Sequence, residues 1–343
     1  MVARGSAVNH CHDLLGRLAA GRLGLVEFTG AALPSLRRAI GFDGWCLGLA
    51  DPASRMPAVS ATDIGNTPLS GRLQQFWQFE FADGAIGTTA APQALVRSAA
   101  ARRDPLGARR YSELLVPDGV GDELRIHLFA DRAYWGSLGL FRSGRARPFG
   151  EADVAAAGTL RQALAIGART TWAAVPSRPA GAVAAEPGML LLTSGGAVIS
   201  ETEQARHWIG RLGGHQSVLP AMVAALGTRP AASLRTRTAD GLWLRVSGAW
   251  LDPPAGQAAI AITLQAAPPA EITPLLLRAY GLTPRQRLVT RFVLAGQSSQ
   301  QIATALHLSP HTVNDHVKAI MAKVGAHSRA ELAAILTSQP RAR

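Results

Sequence analysis

At 343 residues, with 48% hydrophobic and 17% charged residues, the chain is long enough for two or three globular domains and too apolar for disorder. The formal net charge of +12 points to a polyanionic partner, although a composition rich in Ala, Gly, Pro and Arg gives the same sign without one. Two cysteines, Cys11 and Cys46, exclude a disulfide framework or a structural zinc site, and no apolar run approaches the ~18 residues of a membrane span.

In chain order, the first expected element is a helix from Val8 to Leu18 or beyond. The N-terminus, MVARGSAVNHCHDLLGRLAA, lacks the uninterrupted apolar core of a signal peptide, so the expected location is cytoplasmic. His10, Cys11 and His12 are adjacent, and adjacent side chains do not easily converge on one metal ion, so no metal or other cofactor is expected there. FDGWCLGLA (Phe42 to Ala50) reads as a strand, and LRIHLFADRAYWGSLGLFR (Leu124 to Arg142) as two strands joined near Asp131 and Arg132. A long helix is expected from about Glu151 to Thr170, with Val154, Ala157, Leu160 and Leu164 on one face. Trp45, Phe76, Trp77, Phe79, Phe81 and Trp135 suit a core, or less readily an apolar pocket for a ligand whose identity the sequence does not give.

AAVPSRPAGAVAAEPG (Ala173 to Gly188) and AAPPAEITP (Ala266 to Pro274) read as linkers. They divide the chain into segments 1–172, 188–265 and 278–343, with linkers over 173–187 and 266–277. The middle segment reads as strand, Gly195–Gly196 turn, strand and helix, then a hairpin turning at Asp240–Gly241, then a last strand from Ala259 to Gln265. No phosphate loop, zinc-protease motif or nucleophile elbow occurs, so no enzymatic activity is expected.

The C-terminal segment carries dense boundary signals. Thr283-Pro284-Arg285-Gln286 is a capping box with Pro at the first helical position, opening a helix to Ala295 that Gly296 stops. Ser298 with Gln301 caps a short second helix, Ser309 and Pro310 start a third reaching about Val324, and Ser328 with Glu331 caps a fourth. Two short helices joined by a tight turn follow the helix-turn-helix plan. Projected at ~100° per residue, Val313, Val317, Ile320 and Val324 fall on one side of the third helix. His311, Asn314, Asp315, Lys318 and Ala322 fall opposite, as a polar stripe narrow enough for a major groove. An ordinary amphipathic helix gives the same pattern. The local charge argues against it: from Arg278 onward nine Lys and Arg face two acids, Asp315 and Glu331. The chain's two lysines, Lys318 and Lys323, both lie here.

The run from Gly281 to Leu336, through LTPRQ, QIA, LSPHTV, KVG and SRAEL, resembles the LuxR-type DNA-binding domain of bacterial transcription regulators. The resemblance implies an all-α four-helix domain whose third helix enters the major groove and whose fourth often pairs subunits. Gln286 and Gln301 stand where the family usually has Glu, so any ion pair made by those acids is missing. On this reading His311, Thr312, Asn314, Asp315 and Lys318 face the bases, with Lys318 the strongest base-edge candidate. Arg285, Arg287 and Arg329 are candidates for the phosphates, Lys323 is a phosphate candidate or a solvated side chain, and Thr283 and Ser309 are further candidates for DNA contact. Asp315, which phosphates would repel, is expected to accept from a cytosine amino group or to orient Lys318 or His311. His316 is expected at the edge of the core.

The first segment resembles an α+β GAF-like sensor domain, on IGFDGWCLGLADP, ELLVPDGVGDELRIHLFADRAYWGSLGLFR and FGEADV. The middle segment resembles an α+β PAS-like domain, on its strand-turn-strand-helix start and late hairpin. The combined expectation is a multidomain, homodimeric regulator that binds double-stranded DNA and does not engage a membrane. The alternative is a signalling scaffold whose C-terminal helices bind protein such as RNA polymerase.

Overall fold

The computed structural model describes residues 2–63, 72–82, 95–96, 105–174, 186–212, 218–238, 240–251 and 258–337. The first segment contains α1 (Val2–Ala20), α2 (Leu25–Ile40), β1 (Gly44–Ala50), β2 (Pro57–Thr62), α3 (Leu73–Ala82), β3 (Leu95–Val96) and α4 (Pro105–Arg110). A π turn (Tyr111–Leu115) and a 3-10 turn (Val116–Asp118) lead into β4 (Val120–Ala130), β5 (Ala133–Ser143) and α5 (Glu151–Ala174). The expected first helix therefore starts earlier and the expected two strands are present. Asp131 and Arg132 join them with φ of 49° and 61°, the left-handed conformation that reverses a hairpin. The five strands form an antiparallel sheet in the order β2-β1-β5-β4-β3.

Alternation along β4 gives this sheet two different faces. Leu124, Ile126 and Leu128 point one way, while Glu123, Arg125 and His127 point the other, and all six are buried. Helices α1, α2 and α5 pack on one another, and α5 lies across β4 and β5. The approach of α2 to α5 depends on Gly167, because a Cβ there would stand 2.3 Å from the ring of Phe28.

The middle segment contains β6 (Gly188–Thr193), β7 (Val198–Glu201), α6 (Glu203–Leu212), α7 (Val218–Leu226), β8 (Ala231–Arg237), β9 (Trp243–Leu251) and β10 (Ala259–Ala266). Its antiparallel sheet has the order β7-β6-β10-β9-β8. Counted within each sheet, both follow second, first, fifth, fourth, third. The expected turns are present, with Gly196 at φ 82° and Gly241 at φ 88°.

The segments do not hang as separate beads, since one hydrophobic cluster runs through all three. Trp172 of α5 stacks on Trp243 of β9, ring centroids 5.7 Å apart. Asp51 accepts from the backbone N and Nε of Arg235, both at 2.9 Å, and Arg235 also donates to the carbonyl of Glu271.

The stretch 266–277, read from sequence as a linker, is mostly helical: α8 (Pro269–Ala279). Pro269 opens the helix, where its missing N–H costs nothing. Ile272, Leu275, Leu276 and Leu277 are buried, each contributing about 1.5–3 kcal/mol. Helix α8 packs against α5 on one side and the last helix on the other, so it is a joint. Of the other expected linker, residues 175–185 lie outside the described residues. The C-terminal segment is α9 (Pro284–Leu294), α10 (Ser299–Leu306), α11 (Pro310–Val324) and α12 (Arg329–Thr337).

Candidate nucleic-acid interface

Each helix of the C-terminal module begins where a side chain satisfies its first N–H groups. Thr283 Oγ1 accepts from the N–H of Gln286 at 3.2 Å, and Gln286 Oε1 accepts from the N–H of Thr283 at 3.0 Å. Ser298 and Gln301 close the same reciprocal pair at 3.2 and 2.8 Å. The glutamines therefore complete both boxes without a negative charge. Ser309 caps α11 by accepting from the N–H of Thr312 at 3.0 Å. The turn between α10 and α11 is made by His307 at φ 52° and ψ 49°, and Gly325 closes α11 at φ 78°.

Helix α11 buries Val313, Val317, Ile320 and Val324, the four residues that the projection turned inward. Their burial against α9, α10 and α12 fixes the rotation of the helix. It leaves His311, Asn314, Asp315 and Lys318 exposed, Thr312 half-buried, and His316 half-buried at the core edge. His311 Nε2 stands 3.7 Å from Asp315 Oδ2, so the acid faces the histidine one turn before it. Asn314 is held from below: its Oδ1 accepts from Ser299 Oγ at 2.5 Å, and Ser299 Oγ accepts from Arg329 Nη2 at 2.7 Å. Ser299 was not singled out from the sequence, because a residue just after a cap carries no distinguishing signal.

The cations of the module divide into two kinds. Lys318, the base-edge candidate, is exposed, with no hydrogen bond or ion pair among the described residues. The others spend donors within the protein. Arg285 donates to the carbonyl of Leu306 at 3.0 Å, Arg287 to that of Leu282 at 2.9 Å, and Arg329 to that of Gln297 at 2.8 Å. Burial, with Arg278 and Arg291 nearby, pulls the Arg287 guanidinium below its usual range. Lys323 Nζ donates to the carbonyl of Gly281 and to Gln286 Oε1, both at 3.0 Å. Thr283 and Ser309 are exposed but serve as caps. The structure thus gathers His311, Asn314, Asp315 and Lys318 on one open face, and sets Arg285, Arg287, Arg329 and Lys323 as braces around it.

The remaining expectations fall elsewhere. In α1, Cys11 is buried while His10 and His12 are exposed, so the three do not converge. Trp77, Phe79, Phe81 and Trp135 are buried, and Trp45 and Phe76 pack against the same core. Beside them lies a charged cluster that no local pattern in the sequence announces. Arg110 donates to Glu80 at 2.8 Å and to Glu123 at 2.5 Å, while Arg125 donates to Glu123 at 2.6 Å and also to Glu80. All four side chains are at most 4% exposed. Burial disfavours the Arg125 charge, but Glu123 and Glu80 outweigh it and raise that guanidinium above its usual range. Burial also pushes the nearby Cys46 thiol up to about 11.

Four capped helices around one core, with the third helix turned outward, make the C-terminal segment a helix-turn-helix module. Residues 281–336 match the family described as GerE, bacterial regulatory proteins of the luxR family, and the module is a helix-turn-helix domain of that type. No curated protein matches the chain. Solved structures with some likeness include a phage VqmA–DPO complex, at 20% identity and a TM-score of 0.22 over 44% of this chain and 81% of that one. A Vibrio cholerae VqmA dimer without target DNA matches at 16% and 0.19 over 45% and 83%. A Vibrio cholerae VqmA–ligand–DNA complex matches at 18% and 0.21 over the same shares. Likeness at this level carries no inference about this chain. Among the described residues no helix is long and apolar enough to cross a membrane, and no group of three or more His, Cys, Asp or Glu is placed to hold a metal ion.

Proposed function

We propose that the chain is a sequence-specific transcription regulator that binds double-stranded DNA as a homodimer, with α11 in the major groove. The observation that carries this reading is the open face of α11. Its inward side is fixed by four buried aliphatic residues, and its outward side offers His311, Asn314, Asp315 and Lys318 to a partner. Lys318 suits a guanine edge, Asn314 an adenine edge and Asp315 a cytosine amino group. Placing Asp315 between base-reading neighbours trades general attraction for selectivity, because phosphates repel it. Arg285, Arg287, Arg329, Thr283 and Ser309 set the module's register, and their remaining donors are directed to the sugar-phosphate backbone, while Lys323, held by Gly281 and Gln286, braces the end of α11.

The two N-terminal sheets serve as GAF-like and PAS-like sensor domains, whose occupation by a small ligand or partner modulates DNA binding. Their shared strand order supports this reading. Helix α8, packed on both α5 and α12, gives a change in the sensor a direct path to the module. A two-fold dimer would read half-sites spaced by a helical turn or its multiples.

Selection of bound oligonucleotides from a random pool, followed by a salt series on the selected duplex, tests the reading. A paired motif should emerge, and log affinity should fall linearly with log salt. Failure to enrich any motif, with salt-independent binding of RNA polymerase through the same helices, would replace this reading with that of a protein-binding scaffold.

A further inference from the structure

Where the DNA-binding module meets the first segment, a cleft of about 360 Å³ opens between α1, α5, the end of α8 and the end of α11. Three cations line it, Arg22, Arg169 and Lys323, with the hydroxyl-bearing Thr170 and Tyr280, and no carboxylate is among its lining residues. The rest of the wall is small or aliphatic, such as Ala19 and Ala279.

Each cation reaches the cleft for a separate structural reason. Arg22 stands in the turn between α1 and α2 at φ 50°. It donates to the carbonyl of Val324 at 2.7 Å and to that of Lys323, the orphan carbonyls at the C-terminus of α11. It also lies over the Tyr280 ring, 5.3 Å from its centroid. Lys323, on the last turn of α11, is held inward by Gly281 and Gln286. Arg169 pairs with Asp131 through Nη1, while its Nε is buried without a hydrogen-bond partner. Its guanidinium packs on Gly281, where a Cβ would stand 2.8 Å from Nη2. Asp131 is thus the one carboxylate paired with any of the three cations among the described residues. Asp131 offsets one of the three charges, and the net positive charge left around one small cleft favours an anion among the cations.

We propose that this cleft is a receptor site for a small phosphate-bearing anion, which fastens the DNA-binding module to the N-terminal segment. The phosphoryl oxygens take those guanidinium and ammonium hydrogens that the protein does not already use, together with the Tyr280 hydroxyl, since Thr170 Oγ1 donates to the carbonyl of Gly167 at 2.9 Å, and the alanine-lined remainder admits a small organic group on the phosphate. The bound anion would hold the C-terminal end of α11 to the α1–α2 turn, and so set the angle at which the DNA-facing helix is presented. Anion binding itself does not depend on the DNA reading above; only its consequence for DNA does.

The test is a titration of the full chain with inorganic phosphate, against chloride at equal ionic strength, with the thermal midpoint as readout. The wild-type midpoint should rise saturably. The half-effect concentration should increase about tenfold or more in Arg169→Gln and in Lys323→Gln, the loss of one charge-assisted bond, and stay unchanged in Lys318→Gln. Should Arg169→Gln fail to fold, Lys323→Gln decides. A rise that does not saturate and is equal in all variants is the general stabilisation of the native state by a kosmotropic anion excluded from its surface, and overturns the proposal. A second arm separates a free anion from a DNA phosphate. In phosphate-free buffer Arg169→Gln should bind duplex as the wild type does. A loss as large as that in Lys318→Gln would assign the cleft to the DNA backbone and overturn the free-anion site.

Discussion

The first segment and the last use charged side chains in opposite ways. Glu80, Arg110, Glu123 and Arg125 are at most 4% exposed and pair with one another across three elements, with Arg110 Nη2 buried and left without a hydrogen bond. Asp315 and Lys318 sit on a helix whose opposite side is fully packed, and their charge remains in solvent. In the first region desolvation has already been met by partners, so the charges define one arrangement of α3, α4 and β4. In the second, the desolvation cost is deferred until a partner arrives. The same residue types thus serve internal order or recognition according to which side of a packed element they occupy.

The largest effect is expected where a buried partner is removed. Arg125→Met leaves Glu80 and Glu123 with Arg110 as their remaining partner in the cluster, and should lower folding stability by about 3–5 kcal/mol in urea titration. A loss under about 1 kcal/mol would mean that water reaches the cluster and the contrast with α11 fails. Lys318→Gln should do the reverse, changing urea stability by under about 0.5 kcal/mol while weakening binding to a selected duplex by about 1–3 kcal/mol. Equal weakening on every duplex would make Lys318 a phosphate contact and leave base reading to Asn314 and Asp315.

These two regions also differ in how far the sequence reveals them. The C-terminal helices are announced by local signals, a cap, a proline at the first position and a glycine at the end, all within a few residues of the boundary. The burial of Val313, Val317, Ile320 and Val324 follows from spacing alone. Within the buried cluster Glu123 and Arg125 are neighbours on one strand, but the other pairs join residues 13 to 45 positions apart, and no local pattern carries that. Helix α2 holds Pro34 in its interior, which disguises it as a loop. Helix α7, VLPAMVAAL, is apolar on nearly all sides and shows no amphipathic period. Helix α8 hides in a proline-rich run because Pro269 opens it and Pro274 lies one turn inside. The bracing roles of Arg22, Ser299 and Lys323 depend on tertiary proximity, which residue type and spacing do not encode.

The capping pairs offer a third, smaller measurement. Thr283→Ala removes the acceptor for the Gln286 N–H and should cost about 1 kcal/mol in urea titration. Because Gln286 also accepts from Lys323, some of that loss should pass to the end of α11, seen as faster amide exchange at Lys323 and Val324. Exchange confined to the first turn of α9 would show the brace and the cap to be independent.

Asp315→Ala should have the smallest effect on stability and the clearest effect on selectivity. The acid is two-thirds exposed and its neighbour His311 more so, and at 3.7 Å the pair is loose, so its removal should change urea stability by at most a few tenths of a kcal/mol. In DNA binding the same change removes a repulsion from phosphates and a directed acceptor together. Affinity for random duplex should rise slightly, while the ratio of selected to random affinity falls. The two arms discriminate sharply, because a residue acting only as a solvated charge would raise both affinities equally and leave the ratio unchanged. A residue that only orients His311 would lower the ratio without raising random binding. The acid's place on the open side of α11, the side proposed to face the groove, makes the combined result, a gain in general attraction with a loss of preference, the expected one.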